Sequence, residues 1–129
     1  MTAELRFDVL TIFPEMFRSV LDAGVVGRAR ERGLIEAHVH DLRAWATDER
    51  GTTDDYPYGG GPGMVMKPEP IVAAIEELRG DSGWAVLLTP QGTRLDDAAA
   101  RALAARGHLV LVCGRYEGVD ERVSEMVID

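Results

Sequence analysis

The sequence predicts an α/β protein: a mostly parallel sheet with helices on both faces, in one domain of 129 residues. Three observations predict it. Short apolar runs alternate with stretches of helical periodicity along the whole chain. The apolar runs are nearly continuous, as in strands covered on both faces. Two of them end in turn-rich loops, residues 89–92 and 114–118, and parallel sheets bind ligands outside the carboxyl ends of their strands.

Residues 5–13 (LRFDVLTIF) are apolar and β-branched, which suits a buried strand running into a loop. Pro14 fits the first turn of a helix and Glu15 favours its positive end. Met16, Phe17, Val20 and Leu21 follow at helical spacing, and Gly24 ends that helix. Residues 25–32 read as a second short helix, stopped by Gly33. Residues 35–41 (IEAHVHD) alternate as a strand, with His38 and His40 on one face and Ile35, Ala37 and Val39 on the other. Residues 44–67 form a long irregular stretch, a length that in a compact domain marks a functional or mobile loop. Residues 68–79 make an amphipathic helix with Ile71, Ala74, Ile75 and Leu78 on one stripe. Residues 84–88 and 109–113 are apolar strands, separated by an alanine-rich helix over 95–105 that closes near Gly107. Asp120 opens a last helix as its N-cap.

Composition restricts the function classes. The chain is 46% hydrophobic and 28% charged, a globular balance, and has no apolar run of membrane-spanning length. Its amino terminus lacks the basic and apolar regions of a secretory signal. The lone Cys113 cannot form an internal disulfide, which fits a reducing compartment. A cytoplasmic protein without membrane association is therefore expected. The net charge of −8 lacks the basic footprint of a nucleic-acid binder. Half of the fourteen basic residues, Arg28, Arg30 and Arg32 among them, fall in residues 1–50, yet nine acids share that stretch. An RNA substrate would thus need to be held mainly from outside this segment.

Several motifs carry candidate chemistry. Gly59-Gly60-Gly61-Pro62-Gly63 lacks the Gly-Lys-Ser/Thr ending of a phosphate loop and the last glycine of a dinucleotide fingerprint. It reads as a flexible surface turn, or, given Tyr56, Tyr58 and two prolines, as a shaped loop for a planar ligand or partner. Thr89-Pro90-Gln91-Gly92 alone is a turn in which Pro presets φ and Gly takes a positive φ. In residues 114–122, two glycines allow close backbone approach, Tyr116 could stack on a ring, and Glu117 could accept from ribose hydroxyls or a purine edge. The plain alternative is a capped helix start with a Glu121–Arg122 surface pair. His38 and His40 lack a third ligand at metal spacing, so exposed or hydrogen-bonded histidines are expected and no metal site. Cys113, at the end of an apolar strand, reads as a buried inert thiol. Adjacent Asp54 and Asp55 read as solvated acids.

Three blocks taken together resemble the bacterial tRNA (guanine-37-N1)-methyltransferases, the TrmD family. They are residues 13–17 (FPEMF), 58–64 (YGGGPGM) and 112–122 (VCGRYEGVDER), with Pro90-Gln91-Gly92 between them in matching order. The resemblance covers essentially the whole chain. It implies a SPOUT-type methyltransferase domain with a trefoil knot in its carboxyl half, and a homodimer with active sites at the subunit interface. It implies S-adenosylmethionine as cofactor and N1 of the guanine 3′ of the tRNA anticodon as methyl acceptor. By the same resemblance Leu88, Thr89 and Pro90 line the adenosine pocket. Gly114, Tyr116 and Gly118 wrap the cofactor, and Glu117 lies nearest the target base. Thr89 stands where the family commonly has Ser, a change that keeps the hydroxyl. Guanine N1 carries a proton at neutral pH, so a carboxylate must take it. In the family that aspartate, its arginine partner, the second knot loop and the helical tRNA-gripping domain all lie carboxyl-terminal to Asp129. Residues 1–129 are accordingly expected to be a truncated cofactor-binding domain, inactive alone. Two other readings stand beside this one: a non-catalytic nucleotide-binding or interaction module, and a nucleotide hydrolase using the Asp54-Asp55 loop.

Overall fold

β1 (Leu5–Thr11) holds the longest deeply buried run among the described residues: Asp8 and Leu10 are fully buried, and Val9 and Thr11 nearly so. The computed structural model describes residues 4–46, 54–55, 65–114 and 128–129. After β1, Pro14–Phe17 form a single 3-10 turn that leads directly into α1 (Arg18–Asp22). Helix α2 (Gly24–Glu31) follows after Ala23. Gly24 therefore opens the second helix rather than ending the first. The helical spacing of Met16 and Val20 does not denote a core face, since both are exposed. Gly33, at φ +72°, does stop α2 as its left-handed cap.

β2 (Ile35–Asp41) runs over the predicted span. A second 3-10 turn, Leu42–Trp45, follows it, capped by the Asp41 carboxylate, which accepts the Arg43 N–H. The stretch expected to be irregular also contains a small antiparallel ladder. In it β3 (Asp54–Asp55) faces β4 (Val65–Met66), with Asp54 opposite Met66. The ladder brackets the glycine-rich run, which lies outside the described residues, as do residues 115–127 with their expected helix from Asp120.

α3 (Pro68–Arg79), β5 (Trp84–Leu88) and β6 (His108–Cys113) match their sequence patterns to within a residue. α4 (Asp97–Ala104) starts two residues later than its alanine-rich pattern. Asp96 takes the N-cap and accepts the Ala99 N–H at 2.7 Å, leaving Leu95 outside the helix and exposed.

The four long strands form one parallel sheet in the order β2-β1-β6-β5. Ile71, Ala74 and Ile75 of α3 are fully buried against Leu10, Val110, Val112 and Ala85 on one face. Val9, Thr11 and Leu109 point to the other face and are buried too, so both faces are covered. The connections β1→β2 and β5→β6 step the same way across the sheet, and parallel crossovers are right-handed. That places α1–α2 and α4 opposite α3, as the sequence predicts. On the outer edge of β5, Asp129 exchanges two hydrogen bonds with Ala85, donating its N–H to the carbonyl and accepting the Ala85 N–H on its side chain; it also binds Arg79.

Asp8 is a charged group at the centre of this sheet. Its carboxylate takes His40 Nε2 of β2 at 2.8 Å, His108 Nε2 of β6 at 2.7 Å and Arg6 Nε at 3.1 Å. Because Asp8 is ionised and can only accept, both rings must carry the proton on Nε2. Burial pushes the Asp8 carboxyl up, but the three hydrogen bonds outweigh it and hold it below its usual value of 3.8. The stability Asp8 contributes is thus complete above pH 3.8 and is lost as pH falls through the lower folded value. Asp8→Asn should cost on the order of 3 kcal/mol in urea unfolding at neutral pH, because it strands buried donors. It should also flatten the loss of stability that the unaltered protein shows below that pH.

Gly27 marks the tight corner between α1 and α2. A Cβ there would meet the Asp22 carbonyl oxygen at 2.6 Å, a backbone atom that cannot rotate aside. Gly27→Ala should lower stability by about 1–3 kcal/mol, read from the shift in denaturation midpoint.

Candidate functional site at the carboxyl ends of the strands

Parallel pairing places Leu88 of β5 directly opposite Cys113 of β6. The turns that follow them therefore leave the sheet side by side, about 4.8 Å apart at their roots. The next strand, β1, ends on the same side, and its connection departs toward β2, away from β6. A crevice is left between the ends of β1 and β6, where open α/β sheets take ligands. It forms a cleft of about 140 Å³, walled by Thr11, Phe13, Met16, Phe17, Cys113 and Gly114.

The loop after β1 is shaped locally. The Thr11 hydroxyl accepts the Phe13 N–H at 3.0 Å, which turns the chain immediately after the strand. Arg43 donates to the Ile12 carbonyl at 2.8 Å, and its guanidinium lies 6.0 Å from the centre of the Phe13 ring. Arg43 thereby ties the turn after β2 to the end of β1 and steadies that wall of the cleft.

On the other side of β6, after β5, Thr89-Pro90-Gln91-Gly92 closes a β-turn: Gly92 N–H donates to the Thr89 carbonyl at 3.3 Å. The Thr89 hydroxyl accepts the Gln91 N–H at 3.3 Å. This corrects one expectation. Gly92 occupies the fourth position of the turn and is not among the glycines with positive φ. A Cβ on Gly92 would meet nothing closer than 3.5 Å. Leu88 is 52% exposed at the end of a strand that is otherwise buried or half-buried, an apolar surface at the strand end.

Of the residues singled out in the sequence, Leu88, Thr89, Pro90 and Gly114 are therefore brought to neighbouring strand ends. Tyr116, Glu117 and Gly118 lie outside the described residues. Cys113 borders the cleft as a half-buried thiol whose pKa burial pushes up. His38 and His40 share a face as expected: His40 is tied to Asp8, and His38 lies 3.5 Å from Glu36. No group of three His, Cys, Asp or Glu among the described residues is arranged to hold a metal ion. No helix among them is long and apolar enough to cross a membrane. The contribution of β1 to the site was missed. The FPEMF block marks the segment after β1, but that β1 lies beside β6 is known only from the strand order.

Comparison with known proteins places the chain in a family of methyltransferases by sequence and fold. The family model described as tRNA (Guanine-1)-methyltransferase TrmD matches residues 5–129, and the chain belongs to that family. It is 48% identical over 123 residues to a tRNA (guanine-N(1)-)-methyltransferase of Dictyoglomus turgidum, covering 95% of this chain and 50% of the relative. It is 53% identical to the enzyme of that name from Anaeromyxobacter sp. strain K, over 97% of this chain and 51% of the relative. The crystal structure of tRNA (m1G37) methyltransferase from Aquifex aeolicus superposes with a TM-score of 0.85 at 41% identity, covering 95% of this chain and 56% of that one. The chain thus spans about half the length of the curated relatives it matches.

Two measurements check this geometry. Cys113 should react with iodoacetamide at pH 8 several-fold more slowly than a free thiol, and denaturant should remove the difference, because only the thiolate attacks. Gly92→Ala should leave the denaturation midpoint within about 0.5 kcal/mol of the unaltered protein.

Proposed function

We propose that this chain forms the cofactor-binding part of a tRNA (guanine-37-N1)-methyltransferase that uses S-adenosylmethionine. The observation that supports the reading is the pairing of Leu88 with Cys113, which brings together the two strand ends from which the expected cofactor loops depart. The residues present fit such a group. Leu88 offers exposed apolar surface to an adenine ring, the Thr89–Gly92 turn presents a fixed backbone edge, and Gly114 is exposed beside them. Leu88, Thr89, Pro90 and Gly114 would hold the nucleoside, with Tyr116, Glu117 and Gly118 assigned by family resemblance. The cleft of about 140 Å³ is smaller than the roughly 300–1,000 Å³ usual for small-molecule sites. Of Leu88, Thr89, Pro90 and Gly114, Gly114 alone lines that cleft, so the reading requires a larger site than the cleft itself.

S-adenosylmethionine supplies an activated methyl group. What the protein contributes is chiefly position, since an in-line displacement depends on alignment. The proton on guanine N1 has to be removed, and the aspartate and arginine expected for that step lie beyond Asp129. A second copy completing the site across a dimer interface, a carboxyl-terminal tRNA-binding domain and a cytoplasmic setting, where tRNA is the substrate, belong to the same reading. A nucleotide-binding module without catalysis remains the alternative for residues 1–129 in isolation.

Calorimetric titration of S-adenosylmethionine tests this, using the chain as given and a version extended with the second half present in the relatives. The extended protein should bind and gain thermal stability, as any native-state ligand requires. Gly118→Ala in that version should weaken binding about tenfold or more by crowding the wrap. The chain of residues 1–129 should bind weakly and transfer no radiolabelled methyl to tRNA. An extended protein that ignores the cofactor would overturn the assignment.

A further inference from the structure

Helix α2 carries an arginine pair that the fold does not use. Among the other described arginines, Arg6, Arg18, Arg30, Arg79 and Arg101 each hold a carboxylate, and Arg106 lies over the Trp84 ring, 3.5 Å from its centre. Arg28 and Arg32 are exposed and have no acidic partner among those residues. With Val25, which is 76% exposed, they occupy positions i, i+3 and i+7 of one helical face. Gly27 and Arg30 take the opposite side, packed against α1 and bonded to Asp22. The neighbouring acid Glu31 does not share this stripe: it lines the groove toward β2 together with Glu36 and His38.

We propose that the outer face of α2 is a contact for the phosphate backbone of the tRNA, with Arg28 and Arg32 binding phosphates of one strand. This rests on the tRNA reading above. The chain carries a net charge of −8, so RNA can approach only where the local sign is reversed, and this stripe is such a place. Four residues of helix advance about 6 Å, close to two phosphate steps of roughly 3.4 Å along a duplex strand. Guanidinium groups match phosphate geometry with paired hydrogen bonds, and Val25 adds an apolar foot beside them. Basic residues at a helix carboxyl end also favour the helix dipole. That role would appear in stability alone and not in the salt dependence of RNA binding.

The test is binding of a tRNA transcript bearing guanine 37 across a salt series, using the unaltered protein, Arg28→Gln/Arg32→Gln and Arg28→Lys/Arg32→Lys. Between 50 and 200 mM salt the unaltered protein should lose about tenfold more affinity than the glutamine variant, the effect of two phosphate contacts. The lysine variant should keep most of the salt dependence. Three results would overturn the proposal: equal salt dependence in the unaltered protein and the glutamine variant, loss of salt dependence in the lysine variant, or no RNA binding by the unaltered protein at 50 mM salt. The first also covers the case in which an acidic protein or an anionic membrane is the partner. Failure of the parent reading looks different: RNA is bound with the expected salt dependence, but no methyl group reaches it in the extended protein.

Discussion

Burying a carboxylate between parallel strands costs several kcal/mol unless donors meet it, and Asp8 is met from its own strand and from both neighbours. The constraint works in two directions. It fixes β2, β1 and β6 in the one register that brings His40 and His108 to the same side chain. A slip by one residue would turn both histidines to the opposite face and leave the charge unanswered. The site depends on that register, because the ends of β1 and β6 form the cleft and β5 is aligned on β6. An interaction in the middle of the sheet therefore sets the geometry at its rim.

The elements legible in the sequence were those whose own residues decide them. α3 shows the cleanest stripe: of the residues the periodicity names, Ile71, Ala74 and Ile75 are buried and Leu78 packs half-buried beside them. β5 and β6 are nearly continuous apolar runs, which only a sheet covered on both sides can accommodate. Less legible were features decided by partners distant in sequence. Asp8 looks like a polar interruption in a strand until His108, one hundred residues away, is seen to reach it. The exposed Met16 and Val20 show the converse, since helical spacing alone does not say that anything lies against the apolar side.

For the candidate site, the ends of β5 and β6 at Leu88 and Cys113 were readable as neighbours because each apolar run stops at a turn-rich segment, and ligands in such sheets gather at strand ends. The part played by β1 was not read, since strand order is invisible in sequence. Nothing in the chain states that β6 lies between β1 and β5. The conformation of Gly92 shows a smaller version of the same limit. A Pro–Gln–Gly string suits more than one turn, and the hydrogen bond from Gly92 back to Thr89 decides between them.

The two margins of the sheet are finished differently. Along β5, Asp129 occupies the backbone donor and acceptor of Ala85, so a foreign strand finds those groups already taken. Among the described residues β2 forms the other margin and carries the exposed Glu36 and His38, polar side chains that make an incoming strand shed water to dock. Among the described residues, a foreign strand must therefore displace Asp129 on one side and dehydrate polar side chains on the other before it can pair with either outer strand.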